Sequence, residues 1–144
     1  MHRQVVKWVQ GNVPELQWVG APLDLPPWDA GAPLRGLLQE ALPFRGARLC
    51  HAGTIARDGV GVLLAGPGGA GKSGTTLAAL AAGLSTVGDD YVAVRLDPSP
   101  RAQCLYRTIK QDPDGVARVR NLPAEAASGP LTWHGKIEMM ADAV

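Results

Sequence analysis

The residues best suited to chemistry are Gly66-Pro67-Gly68-Gly69-Ala70-Gly71-Lys72-Ser73, which match the pattern G-x-x-x-x-G-K-[ST]. Glycines in such a run let successive backbone N–H groups turn inward and form a concave anion site that side chains would obstruct. A helix that starts at the end of the run aims its positive dipole at the same place. Lys72 then supplies a mobile cation for the β- and γ-phosphates, and the Ser73 hydroxyl is placed to ligate Mg²⁺. Gly66, Gly68, Gly69, Ala70, Gly71, Lys72, Ser73 and Gly74 are therefore the expected nucleotide-binding set. The pattern speaks for a nucleoside triphosphate with magnesium and leaves open which reaction follows.

Asp89 and Asp90 come next. Adjacent carboxylates at the carboxyl end of a sheet can divide the work, one attending Mg²⁺ and the other accepting a proton from an attacking hydroxyl. A nucleotide hydrolase needs only one acid there, so the second hints at a kinase. By itself an Asp-Asp pair also suits a simple turn. His51 stands in an apolar stretch, where a lone histidine is more often a satisfied core residue than a catalytic one. His2 and His134 have no constellation around them, and Trp8, Trp18, Trp28 and Trp133 read as core or interface aromatics.

These residues need elements to hold them. Val60 to Ala65 is a short apolar run bounded by glycines, the pattern of a strand buried on both faces. Leu77, Leu80, Ala81 and Leu84 mark a helix after the loop, with Gly83 as its stop. Ser85 to Gly88 reads as a strand lying parallel beside the loop's own strand, and Tyr91 to Leu96 as another. Upstream, residues 5–9 suit a strand, 14–27 an edge strand with a loop, 33–43 an amphipathic helix and 46–55 a strand. Downstream, Gln103 to Ile109 suits a strand or a strand-to-helix segment. From Asp112 the signals weaken, with a final strand expected between Trp133 and Met140.

Composition narrows the setting. The chain has 144 residues, 46% of them hydrophobic, enough for one compact domain. A formal net charge of +1 and the lack of any Lys/Arg run argue against a nucleic-acid partner. No apolar run reaches the roughly 20 residues that span a bilayer, and the N-terminus does not read as a signal peptide. Cys50 and Cys104 are expected to be buried free thiols in a reducing compartment, so a cytoplasmic location is expected. No N/T-K-x-D segment is present to read guanine, which disfavours a switch GTPase.

From His51 to Val94 the chain resembles the HPr kinase/phosphorylase family, and more closely its HPr-kinase-like serine kinase branch. The likeness lies in His51-Ala52-Gly53 before the loop, the loop and its helix, and Leu84-Ser85-Thr86-Val87-Gly88-Asp89-Asp90-Tyr91-Val92. Ala32-Pro33-Leu34-Arg35 and Leu105-Tyr106-Arg107-Thr108-Ile109-Lys110 extend it over most of residues 28–123; phosphoenolpyruvate carboxykinases share the core more distantly. The resemblance implies an α/β P-loop kinase core with a mixed central sheet over residues 46–144, on which a strand, loop and helix from residues 1–45 pack. It implies transfer of a phosphoryl group from ATP, with Mg²⁺, to a serine of a protein or peptide. Asp89 would be the base, aided by His51, with Lys72 on the phosphates and Ser73 and Asp90 serving the metal. The larger kinases form hexamers, which raises homo-oligomerisation. Gly74 departs from the usual Thr or Glu. Residues 112–144 show no clear second acidic ligand or late basic loop, and the family's sheet is expected to be cut short at the C-terminus. The alternative reading is accordingly a catalytically incomplete nucleotide-binding module acting through a partner.

Overall fold

The computed structural model describes residues 3–7, 15–19 and 27–144. His2, Trp8, the last two residues of the strand expected at 5–9, and most of the proline-rich loop at 20–26 lie outside the described residues. Strands β1 (Arg3–Lys7) and β2 (Glu15–Val19) form an antiparallel pair. Two short helices follow, α1 (Pro27–Ala30) and α2 (Arg35–Ala41). The helix expected from Pro33 starts two residues later, because Leu34 takes a left-handed backbone with φ 63° and breaks the run. Leu37 is its buried residue.

The stretch expected as one strand at 46–55 is two, β3 (Ala47–Cys50) and β4 (Ala52–Arg57), interrupted at His51. Asp58 and Gly59, with φ of 52° and 80°, then make the tight left-handed turn that joins β4 to β5 (Val60–Ala65). Beyond the glycine-rich loop, α3 (Lys72–Ala81) ends as its sequence suggests. Gly83, at φ 83°, donates to Leu80 O (2.8 Å), and Leu84 donates to Ala79 O (2.9 Å), the paired bonds of a left-handed helix stop.

The expected parallel neighbour of β5 is a correction. Every strand pairing among the described residues is antiparallel, in small sheets: β4 with β5, β3 with β6 (Val92–Arg95) and β7 (Arg101–Cys104), and β8 (Thr108–Gln111) with β9 (Ile137–Met140). Residues 85–90 bond instead to β4: Ala52 N–H donates to Asp90 O (3.1 Å), Thr54 N–H to Gly88 O (3.1 Å) and Ala56 N–H to Ser85 O (2.7 Å). Strand β4 therefore lies between β5 and residues 85–90. Both neighbours run opposite to it and so parallel to one another, one strand apart. The consequence expected from sequence survives the altered pairing, since the glycine-rich loop and Asp89-Asp90 leave the same end of the strands.

A second correction concerns β5 itself. Val60, Val62 and Leu63 are exposed (74%, 56% and 41%), so this strand is not buried on both faces. An apolar run states that a strand can be buried, and not how many layers cover it.

The hydrophobic core lies where the sequence signals weaken. Leu77 of α3 packs with Ile109 of β8, Met139 of β9, Val116 of α4 (Pro113–Ala117) and Ala126 of α5 (Ala124–Ala127). Asp112 caps α4, its carboxylate accepting from Gly115 N–H at 2.7 Å. The upstream helices are tied to the rest at few points, among them the Tyr106 hydroxyl donating to Pro33 O at 2.7 Å. Trp133, expected in a core or interface, is 63% exposed, and Cys104, expected to be buried, is exposed; both cysteines are free. No helix among the described residues is long and apolar enough to cross a membrane.

Candidate phosphate and acceptor site

The glycine-rich loop has the backbone its sequence calls for. Gly69 and Gly71 sit at φ 80° and 88°, where a side chain would be strained. Gly71 precedes α3 and no side chain caps the helix, so its first turn presents amides without a side-chain acceptor. Lys72 Nζ donates to Gly66 O (2.8 Å) and Pro67 O (3.1 Å), folding its ammonium over the loop. Gly74 has a reason of its own. A Cβ there would come within 2.8 Å of Gln111 Nε2, and one on Gly115 would also strike that amide, so Gln111 of β8 occupies a slot between two glycines.

Asp89 is 1% exposed, and neither of its carboxylate oxygens completes a hydrogen bond; nor does the buried Thr76 Oγ1. Gly53 of β4 makes room for both groups, since a Cβ on it would lie 2.5 Å from Thr76 Oγ1 and 3.0 Å from Asp89 Oδ1. Burial raises the Asp89 carboxyl above its ordinary value, and the nearby Ser73 hydroxyl offsets part of this without reaching ordinary hydrogen-bond geometry. The Asp90 and Lys110 amides also lower it, while the Asp90 charge adds to the rise. An unpaired buried carboxylate is free to take a proton or a hydrogen-bond donor brought by a ligand.

Asp90 points elsewhere. Its backbone takes φ 69°, and Tyr91 N–H donates back to Asp89 O (2.9 Å), a three-residue turn that separates the two carboxylates. Asp90 Oδ1 lies 3.1 Å from His51 Nε2, and Oδ2 lies 3.5 Å from Lys110 Nζ, which also donates to Gly31 O (2.7 Å). The pairing of Cys50 with Val92 and the bond from Ala52 to Asp90 put His51 across from Tyr91, and their rings stack with centroids 5.0 Å apart. His51 is thus an exposed residue held by Asp90 and Tyr91 rather than a core histidine, and its carboxylate partner is Asp90 rather than Asp89.

Two cavities meet at these residues. One, of about 400 Å³, adjoins the glycine-rich loop and is lined by Gly68, Gly69, Gly71, Lys72 and Ser73, with Gln111 and Arg118 opposite. The other, of about 550 Å³, is lined by Asp89, Tyr91, Arg35 and Lys110 together with Leu131, Trp133, His134 and Glu138. Gly66 and Ala70 lie in the loop beside these cavities and line neither. His51, Ser73, Asp90 and Lys136 line both. The structure therefore brings together Lys72, Ser73, Asp89 and Asp90, and with them His51, which only the resemblance had assigned there.

It also adds residues that the sequence did not single out. Residues 112–144, without a visible basic element in sequence, contribute Arg118 and Lys136 to the cavity walls, and Glu138 as an acid. No motif marks them, because their placement depends on how the β8–β9 pair and α4 fold back over the loop. Among the described residues, no group of three or more His, Cys, Asp or Glu side chains is clustered for a metal. Any cation here would rest on hydroxyl and carboxylate oxygens and on phosphate. Compared with known proteins, the chain matches no family model, no curated protein and no solved structure.

Proposed function

We propose that this chain is an ATP-dependent phosphotransferase of the HPr-kinase-like kind, delivering a phosphoryl group to a serine of a protein or peptide. One observation carries the reading: a glycine-rich anion loop and a second cavity meet across a wall that contains Ser73, His51 and Asp90, with Asp89 at its side. A hydrolase needs room for water only. A transferase needs a separate chamber for the acceptor, and about 550 Å³ is within the range that holds a small molecule or a short peptide segment.

In this reading the triphosphate lies on the amides of residues 68–73 with Lys72 turned onto it. Ser73 and Asp90 are the residues that would hold Mg²⁺, and the ion would supply charge neutralisation for the phosphates. The acceptor serine enters the larger cavity. Asp89 takes its hydroxyl proton, the freed oxygen bonds to the γ-phosphorus, and the bond to the β,γ-bridging oxygen breaks, leaving ADP. Burial raises the Asp89 carboxyl and so makes it a stronger base than an ordinary carboxylate, and its position on the acceptor side suits that role. His51 and Lys110 hold the Asp90 carboxylate in place. Arg118, Lys136 and Glu138 on the cavity walls weigh against an incomplete, purely nucleotide-binding module.

The test is labelling of a degenerate serine peptide library with [γ-³²P]ATP and Mg²⁺, with an alanine-substituted library as control. Label is expected on serine peptides only. Lys72→Ala is expected to weaken nucleotide binding by about a hundredfold, and Asp89→Asn to keep binding and lose labelling. Intact nucleotide binding with no serine labelling would remove the transferase reading.

A further inference from the structure

We infer that Lys136 contacts the γ-phosphoryl group as it passes between the two cavities, a catalytic contact that rests on the function proposed above. Among the described residues four line both cavities, and Lys136 is the one lysine or arginine among those four. The other cations nearby are engaged or line one cavity alone. Lys72 is bonded to Gly66 O and Pro67 O, and Lys110 to Gly31 O and Asp90. Arg35 is spent on Asp29 (3.7 Å) and the Tyr91 hydroxyl (3.3 Å). Arg118 lines the phosphate side alone.

Lys136 combines a fixed backbone with an uncommitted ammonium. Its N–H donates to Thr132 Oγ1 (3.1 Å), and its carbonyl accepts from Thr132 N–H (2.7 Å), closing the turn that leads into β9. Its ammonium makes no hydrogen bond or ion pair among the described residues. The remaining groups on the shared wall are a carboxylate, a hydroxyl and an imidazole. A phosphoryl group crossing that wall spreads negative charge over three oxygens, and a cation held where this charge develops lowers the barrier without having to be brought there. Trp133, three residues earlier in the same turn, stands on the rim of the acceptor cavity and offers a signal for the event.

The experiment compares Mg²⁺·ATP and Mg²⁺·ADP binding to the full chain, by calorimetry and by Trp fluorescence, in wild type, K136M and K136R. Wild type is expected to prefer ATP. K136M is expected to bind ATP about tenfold more weakly or worse, as loss of one charge-assisted contact gives, with ADP affinity within about threefold of wild type on the same grounds. K136R is expected to retain most of the ATP preference. If K136M melts early, K136Q replaces it. An unchanged ATP-to-ADP ratio in K136M, or equal binding of the two nucleotides by wild type, overturns the assignment and leaves the proposed phosphate site standing. Failure of wild type to bind either nucleotide overturns both.

Discussion

The loop-and-aspartate region, residues 51–91, and the C-terminal third, residues 108–144, contrast in how their residues act. The first is built of glycines and polar groups. Thr54 and Thr86 exchange hydroxyl and backbone bonds across the strands, Gly53 yields space to Thr76 and Asp89, and two loop glycines take left-handed backbones. The second supplies most of the buried apolar cluster, through Ile109, Val116, Ala126 and Met139. Chemistry and cohesion are thus divided between neighbouring stretches of one chain. Damage to one region should register in function, and damage to the other in stability.

The largest expected effect in solution falls on the cohesive side. Ile109 is fully buried among Leu77, Val116 and Met139, so Ile109→Ala is expected to cost about 2–5 kcal/mol of unfolding free energy, read from urea melts. A cost well under 1 kcal/mol would show that the core is not centred there.

The next effect has the opposite sign and sharpens the contrast. Burial raises the Asp89 carboxyl, so the folded state disfavours its ionised form. The penalty is absent below the ordinary carboxylate range, builds as pH rises through the folded value, and is complete above it. In chelator at neutral pH, Asp89→Asn is therefore expected to stabilise the protein by about 1–2 kcal/mol, with the gain fading as pH falls from the folded value and gone below about pH 4. A destabilised Asp89→Asn at pH 7 would place Asp89 among the cohesive residues.

The smallest effect probes the exposed strand. Val62 of β5 is 56% exposed, so Val62→Thr is expected to change stability by no more than about 0.5 kcal/mol. A loss above 1 kcal/mol would mean that this face is covered in solution.

The same division explains what could be read beforehand. The loop, its helix, the Gly83 stop and the placing of Lys72 and the aspartates at one end of the strands were legible, because each depends on residue type at short spacing, whereas His51 joined them only through the resemblance. Strand partners were not. Nothing in Ser85 to Gly88 states that β4 will come between it and β5. The exposure of Val60 and Val62 was equally hidden, since apolarity reports suitability for burial only. Helices α4 and α5 were missed because they span five and four residues, too few to show a period, although the Asp112-Pro113 start was available as a cap. Arg118 and Lys136 carry no motif, and only the folding of the last third over the loop makes them part of the site.

The turn at Asp90 has a consequence for how the site can change. The left-handed backbone there fixes the divergence of the two carboxylates in the main chain, so side-chain rotation cannot swap their positions. Their relative placement is set when the ladder from Ala47 to Ala56 zips onto residues 85–95, and no ligand has to arrange it. It also makes the position selective toward replacement: Asn tolerates such a backbone where β-branched residues do not. A duplicated acid at this point is therefore two different tools on one bracket, and a library that randomises both positions should recover pairs that differ in kind rather than pairs that trade places.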